Sequence, residues 1–118
     1  MAASIQSVLV TGASAGIGFA LVKQLALEHG CHVYLGSRNE TKGKTCIDSI
    51  LKANPELKGR VELLVLDVGL DESVKAAAAK LSGKTLYALV NNAGVGASAD
   101  TTTILNTNLT GVRRMCEA

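Results

Sequence analysis

Aromatic side chains are nearly missing from this sequence, which has two tyrosines, one phenylalanine and no tryptophan in 118 residues. Val, Leu, Ile and Ala must therefore fill any interior, and that bias suits a parallel sheet covered by helices. Charge of one sign is missing too. The net charge is +2 with basic and acidic residues interspersed, so no basic patch points to nucleic acid as a partner. The three cysteines, Cys31, Cys46 and Cys116, are odd in number and widely spaced. They form no metal-binding motif and fit a reduced, intracellular setting. No apolar run approaches the ~18 residues of a membrane span, and no basic segment followed by an apolar one opens the chain. These absences predict a soluble, cytoplasmic protein with no bound metal and no membrane partner. At 47% hydrophobic residues, the chain has enough apolar content for one core, so residues 1–118 are expected to form one domain.

What is present alternates strand and helix. Residues 6–11 predict a first strand, and Ile17, Leu21 and Leu25 then recur at helical spacing up to Gly30. His32–Ser37 predicts a second strand. Ser37-Arg38-Asn39-Glu40 has the form of a capping box for a helix carrying Cys46, Ile47, Ile50 and Leu51, ending near Asn54-Pro55. Val61–Asp67 is apolar enough for a central or well-covered strand. Asp71 is the expected cap of a helix through Val74, Ala77, Ala78 and Leu81 that closes at Gly83. A fourth strand, Thr85–Val90, precedes a loop rich in Asn, Ala, Gly and Ser. The last helix starts near Thr101–Thr103 and places Leu105, Asn108, Leu109, Val112 and Met115 or Cys116 on one stripe. The expected fold is α/β, a Rossmann-type doubly wound parallel sheet with strand order 3-2-1-4.

The last helix shows no stopping residue, since Val112–Ala118 is still helical in pattern. The fourth strand would also lie at an open, apolar edge. Both features predict a truncated domain whose C-terminal half lies beyond Ala118. The alternative is a natural short protein with a frayed terminal helix.

Thr11-Gly12-Ala13-Ser14-Ala15-Gly16-Ile17-Gly18 lies between the first strand and the first helix. Gly12 permits a tight turn, Gly16 lets backbone approach a pyrophosphate, and Gly18 lets the helix lie close to the strand. The N-terminus of that helix would add free N–H groups and the positive end of its dipole. Gly12-Ala13-Ser14-Ala15-Gly16 also fits the nucleophile elbow of serine hydrolases, which requires an acid and then a histidine later in the chain. His29 and His32 are the only histidines and both precede Asp67, so Ser14 is read as a phosphate ligand.

Four segments occur in order: Thr11–Gly18, Leu66-Asp67-Val68, Asn91-Asn92-Ala93-Gly94 and Asn106-Thr107-Asn108-Leu109-Thr110-Gly111. Together they resemble the N-terminal half of a short-chain dehydrogenase/reductase, and are most similar to carbonyl-reductase-like members. The resemblance implies a pyrophosphate site at Gly12, Ser14, Ala15, Gly16, Ile17 and Gly18, and an adenine site at Asp67 and Val68. It places Asn91, Ala93 and Gly94 along the cofactor's ribose and the central strand. It implies that Asn108 is catalytic, its backbone ordering a proton-relay water. Leu105, Leu109 and Val112 are read as packing residues that include a subunit contact through the last helix, and Arg113 and Arg114 as solvated.

Cofactor choice has its own physical argument. An acid at the end of the second strand would accept from the adenosine ribose hydroxyls of NAD(H). This chain has Gly36-Ser37-Arg38-Asn39 there, with no acid before Glu40. Arg38 offers a planar fork of donors to a 2′-phosphate and Ser37 a hydroxyl. NADP(H) is therefore the expected cofactor, and NAD(H) the alternative.

The family's acid catalyst is a tyrosine followed four residues later by lysine. Tyr34 is followed by Arg38 and Tyr87 by Asn91, so neither fits. The isolated chain is expected to reduce no carbonyl. Two readings follow: the cofactor half of an NADP(H)-dependent oxidoreductase acting on a small carbonyl or alcohol, or a non-catalytic nucleotide-binding or interaction module.

Overall fold

A computed structural model describes residues 5–94 and 99–118. Its four parallel strands are β1 (Ser7–Val10), β2 (His32–Ser37), β3 (Val61–Val65) and β4 (Ala88–Val90). They form one sheet in the order β3-β2-β1-β4, the Rossmann-type arrangement expected from the sequence. Helices α1 (Gly16–Glu28), α2 (Glu40–Ala53) and α3 (Asp71–Lys80) connect them, with a 3-10 turn at Pro55–Leu57. β2 has its expected bounds, β4 starts three residues late, and β1 and β3 lose residues at their C-terminal ends, which leave the ladder to build loops. Thr11 turns toward β4, and the Asp67 N–H donates to Ser73 Oγ at 2.8 Å.

Period-2 alternation sends the strand side chains to two cores. Val8, Val10, Val33 and Leu35 pack with Val22, Ala26 and Ile50 under α1 and α2. Leu9, Tyr34 and Leu64 pack with Val74 and Ala77 of α3 on the other face. Burying each large aliphatic side chain contributes about 1.5–3 kcal/mol. β3 is an edge strand rather than a central one, and its exposed Glu62 pairs with His32. Its aliphatic residues are nevertheless covered, because they alternate between both cores.

Three local expectations are corrected. The α1 stripe runs through Gly18, Val22 and Ala26, leaving Leu21 and Leu25 half-buried and Ile17 82% exposed. The helix lies closest to the sheet at Gly18, and its i+4 series follows from that contact. Ser37 is not the α2 cap. It ends β2, buried, and its hydroxyl donates to the Asn39 carbonyl at 2.8 Å and accepts from Asn39 N at 3.2 Å. The chain needs two more residues to turn, so Asn39 caps α2 by accepting from Lys42 N at 2.9 Å, while Glu40 pairs with Lys44. Asp71 is the first residue of α3, with Leu70 at the cap position.

The last helix is continuous from Thr101 to Glu117 but not uniformly α. It comprises α4 (Thr101–Leu105), a π-turn (Asn106–Thr110) and α5 (Gly111–Glu117). Asp100 caps α4, its Oδ1 accepting from Thr103 N at 2.7 Å. Of the predicted stripe, Leu105, Asn108 and Leu109 are exposed and Val112 and Met115 half-buried, while Gly111 is buried; the wider π-turn shifts the register of the residues that follow it.

Candidate functional site

The order β3-β2-β1-β4 makes β1 the strand from which the chain winds first one way and then the other. In open parallel sheets the crevice beyond the carboxyl ends at that switch point receives the ligand. Here the Thr11–Ala15 loop rises from β1 and the Asn91–Gly94 segment follows β4. Thr11 joins them. Its buried Oγ1 accepts from Asn92 N at 3.1 Å and Ala93 N at 3.0 Å and reaches the Val90 carbonyl at 3.4 Å. Asn92 returns the link, its Nδ2 donating to the Gly12 carbonyl at 3.0 Å.

Gly12 and Gly16 have φ of +60° and +57°, a region that favours glycine. A Cβ on Gly12 would lie 2.6 Å from the Ala93 Cα, so the two loops meet backbone to backbone. At Gly16 nothing lies within 4 Å of a Cβ position. The α1 N-terminus therefore faces open space, and its extended N-cap, Ala15, supplies no side-chain cap. Gly18 faces inward, against the Gly12 carbonyl and the Asn92 amide. Among the described residues no non-glycine has positive φ. Ser14 therefore lacks the backbone strain of a nucleophile elbow.

A cavity of about 420 Å³ opens beside this loop. Gly12, Ser14 and Ala15 form one wall, Asp67 and Val68 a second, and Ala93 and Gly94 a third. Arg38 lies at the β2 end. Asp67 is held by its own turn, its Oδ1 accepting from Gly69 N at 2.9 Å. Asn108 comes from a distant segment yet lies against Gly94, its Oδ1 3.3 Å from where a Cβ there would sit. Gly12, Ser14, Ala15, Arg38, Asp67, Val68, Ala93, Gly94 and Asn108 are thus brought together. Gly16 and Ile17 lie at the adjoining helix start. Ser37 does not line the cavity, because its hydroxyl is turned to the Asn39 backbone. Asn91 does not line it either; it is exposed, with its amide 3.8 Å from Cys116 Sγ.

Sequence reasoning missed several wall residues. Asn92, rather than its neighbour Asn91, reaches the cavity, together with Asn39, Lys42, Leu66 and Thr107. Lys42 was legible as the residue one helical turn beyond Arg38. Among the described residues, neither Arg38 nor Lys42 has a carboxylate partner. Cys46 supports the loop from behind, its thiol 3.2 Å from the Ser14 carbonyl, and burial pushes its pKa up, keeping it a thiol donor.

A dinucleotide fits this arrangement. An open helix N-terminus and a glycine loop suit a pyrophosphate, a half-buried carboxylate turn suits a base, and free cations suit a further phosphate. The fold and site define a dinucleotide-binding α/β domain. Its sequence matches the profile of the short chain dehydrogenase family over residues 6–118. The chain belongs to that family, an oxidoreductase family. It is 45% identical over 97 residues to the short-chain dehydrogenase/reductase prx1 of Penicillium rubens, covering 80% of this chain and 27% of that one. It superposes on a menthone neomenthol reductase from Mentha piperita with a TM-score of 0.87 at 26% identity, covering 98% and 55% of the two chains. NADPH-bound carbonyl reductase from chicken fatty liver (TM-score 0.75, 29% identity, 96% and 49% covered) is a further neighbour. So is an NAD+-bound xylitol dehydrogenase (TM-score 0.80, 27% identity, 96% and 46% covered). The chain thus spans about a quarter of that curated relative and about half of the solved chains. Among the described residues no helix is long and apolar enough to cross a membrane.

Proposed function

We propose that this chain forms the cofactor-binding part of an NADP(H)-dependent oxidoreductase that interconverts a carbonyl and an alcohol. The observation that carries the reading is the pair Arg38 and Lys42, both on the cavity and both without a carboxylate partner among the described residues. No acid stands at the end of β2 to accept from the ribose hydroxyls of NAD(H), since Glu40 is drawn to Lys44. The two cations would hold a 2′-phosphate, with Ser37 shaping the turn that presents Arg38. Gly12, Ser14 and the α1 N-terminus would hold the pyrophosphate, and Asp67 and Val68 the adenine.

The nicotinamide, when bound, supplies or accepts hydride. The protein's own contribution here is orientation. Thr11 and Asn92 lock the β1 and β4 loops into one surface, and the Asn108 side chain lies against Gly94, which supports a role for its backbone in ordering a proton-relay water. Leu105 and Leu109, 53% and 67% exposed, are the residues a subunit contact through the last helix would use. Neither Tyr34, buried in β2, nor Tyr87 has a lysine four residues on, so the 118-residue chain alone should bind cofactor without reducing a carbonyl.

Dissociation constants for NADPH and NADH, measured on wild type and Arg38→Asp, test the assignment. Loss of a charge-assisted hydrogen bond, about 1.5–3 kcal/mol, should weaken NADPH binding roughly 10- to 150-fold. NADH binding should change far less. Equal NADPH affinity in both proteins would overturn the NADP(H) assignment.

A further inference from the structure

Arg114, expected to be solvated, is instead drawn inward, with a side chain only 19% exposed. Its guanidinium reaches two segments, the start of the π-turn and the 68–71 stretch that leads into α3. Nη1 donates to the Val68 carbonyl at 3.1 Å and the Asn106 carbonyl at 3.3 Å, and Nη2 donates to Asn106 Oδ1 at 2.7 Å. Nε donates to Asp71 Oδ1. Asn106 closes the figure by donating its Nδ2 to the Gly69 carbonyl at 2.9 Å. The contacts join α5, the start of the π-turn and the loop between β3 and α3, across 37 to 46 residues of chain.

Among the described residues, apolar packing does little to secure the π-turn. Leu105 and Leu109 bury little apolar surface, and a π-turn is less favourable than the α-helix flanking it. One backbone contact helps, since Gly111 lies so close to Val68 that a Cβ would come 3.1 Å from its carbonyl oxygen. Yet this turn supplies Thr107 to the cavity wall and Asn108 to the Gly94 contact, and the loop it is tied to carries Asp67 and Val68. We propose that Arg114 is a positioning residue, clamping the Asn106–Thr110 π-turn onto the 67–71 loop so that both keep their places on the cofactor cavity. Arginine is required because a fixed fork of donors serves acceptors on separate segments, which one ammonium cannot span.

The inference rests on the cofactor reading for its consequence but not for its geometry, and two measurements on the full-length protein separate them. Amide hydrogen exchange tests the clamp. Arg114→Met should speed exchange about tenfold or more in 106–110 and 67–70, while β1 and β2 keep their protection. Arg114→Lys should fall between wild type and Arg114→Met. Arg113→Lys, which alters only an exposed pair with Glu117, should match wild type. Asn106→Ala should loosen the same two segments and serves if Arg114→Met does not fold. NADPH titration tests the consequence, with an expected rise in dissociation constant of about threefold to tenfold. Unchanged exchange in the two segments, or a uniform increase that includes β1 and β2, overturns the clamp. Faster local exchange with unchanged NADPH affinity overturns its bearing on the cavity. Absence of NADPH binding in the wild type overturns the cofactor reading, and exchange still decides the clamp.

Discussion

The two faces of the sheet are finished to different degrees. Under α1 and α2, Val10, Val22, Val33 and Leu35 are completely buried, and packing continues through Ile50 and Leu57. On the α3 face only Leu9 among the β1 and β4 side chains is so well covered. Leu86 and Leu89 stay half-buried and, with Val74, Leu81 and Met115, line an apolar cavity of about 470 Å³. Strand alternation supplies both faces equally. The helices do not, since α1 and α2 with 13 and 14 residues cover one face, and α3 with 10 and α5 with 7 the other. An apolar strand pattern thus specifies that both faces seek cover, while helix length decides how much each receives.

The sharpest way to break the comparison is to truncate one leucine on each face. Leu35→Ala removes a fully buried side chain between two helices and should cost about 2–5 kcal/mol. Leu89→Ala removes a side chain that already borders open space and should cost about 1 kcal/mol or less, because little new cavity is created. Urea midpoints at constant slope would measure both. Equal losses would mean that the α3 face is packed as tightly as the other, and the distinction would fail.

A smaller effect is expected where the faces meet, at the crevice. Thr11→Val keeps the shape but leaves the Ala93 N–H without its acceptor and the Asn92 N–H with the Val90 carbonyl alone. It should destabilise by about 1–3 kcal/mol and weaken dinucleotide binding, while Thr11→Ser should retain most of both. If Thr11→Val unfolds at the wild-type urea concentration, the hydroxyl does not join the two loops.

The same contrast explains what was legible in the sequence. Gly12, Gly16 and Gly18 announce a backbone requirement, and a local spacing is enough to read it. Asp67, Ala93 and Gly94 could be placed because short motifs fix them relative to a strand end. Ser37 and Asn91 do not line the cavity while their immediate neighbours Arg38 and Asn92 do, a one-residue difference that short motifs do not resolve. The α1 stripe was misread by one position because Ile17 is as apolar as Val22. Only the contact of Gly18 with the strand settles which side faces in. The π-turn and the Arg114 clamp carried no local signal at all. A guanidinium reads as solvated until acceptors from its own helical run and from a stretch more than forty residues away are brought around it.

The smallest effect expected belongs to α4, far from the closed face. Asp100 accepts from the Thr103 backbone N–H and then from its hydroxyl, and these bonds favour the carboxylate, lowering its pKa below the ordinary aspartate value. A lowered folded-state pKa means that the cap stabilises fully above the ordinary aspartate range. Its contribution is lost as pH falls through that range to the lowered value. The carboxylate is exposed, so the loss should be confined to the first turn of α4 and leave the protection of Val33 and Leu35 unchanged. Following the Thr103 amide by NMR through an acid titration would show a midpoint below that of a free aspartate, and Asp100→Ala would abolish it. A midpoint in the ordinary range would mean that the cap is not formed in solution. α4 would then depend on the π-turn behind it for its place.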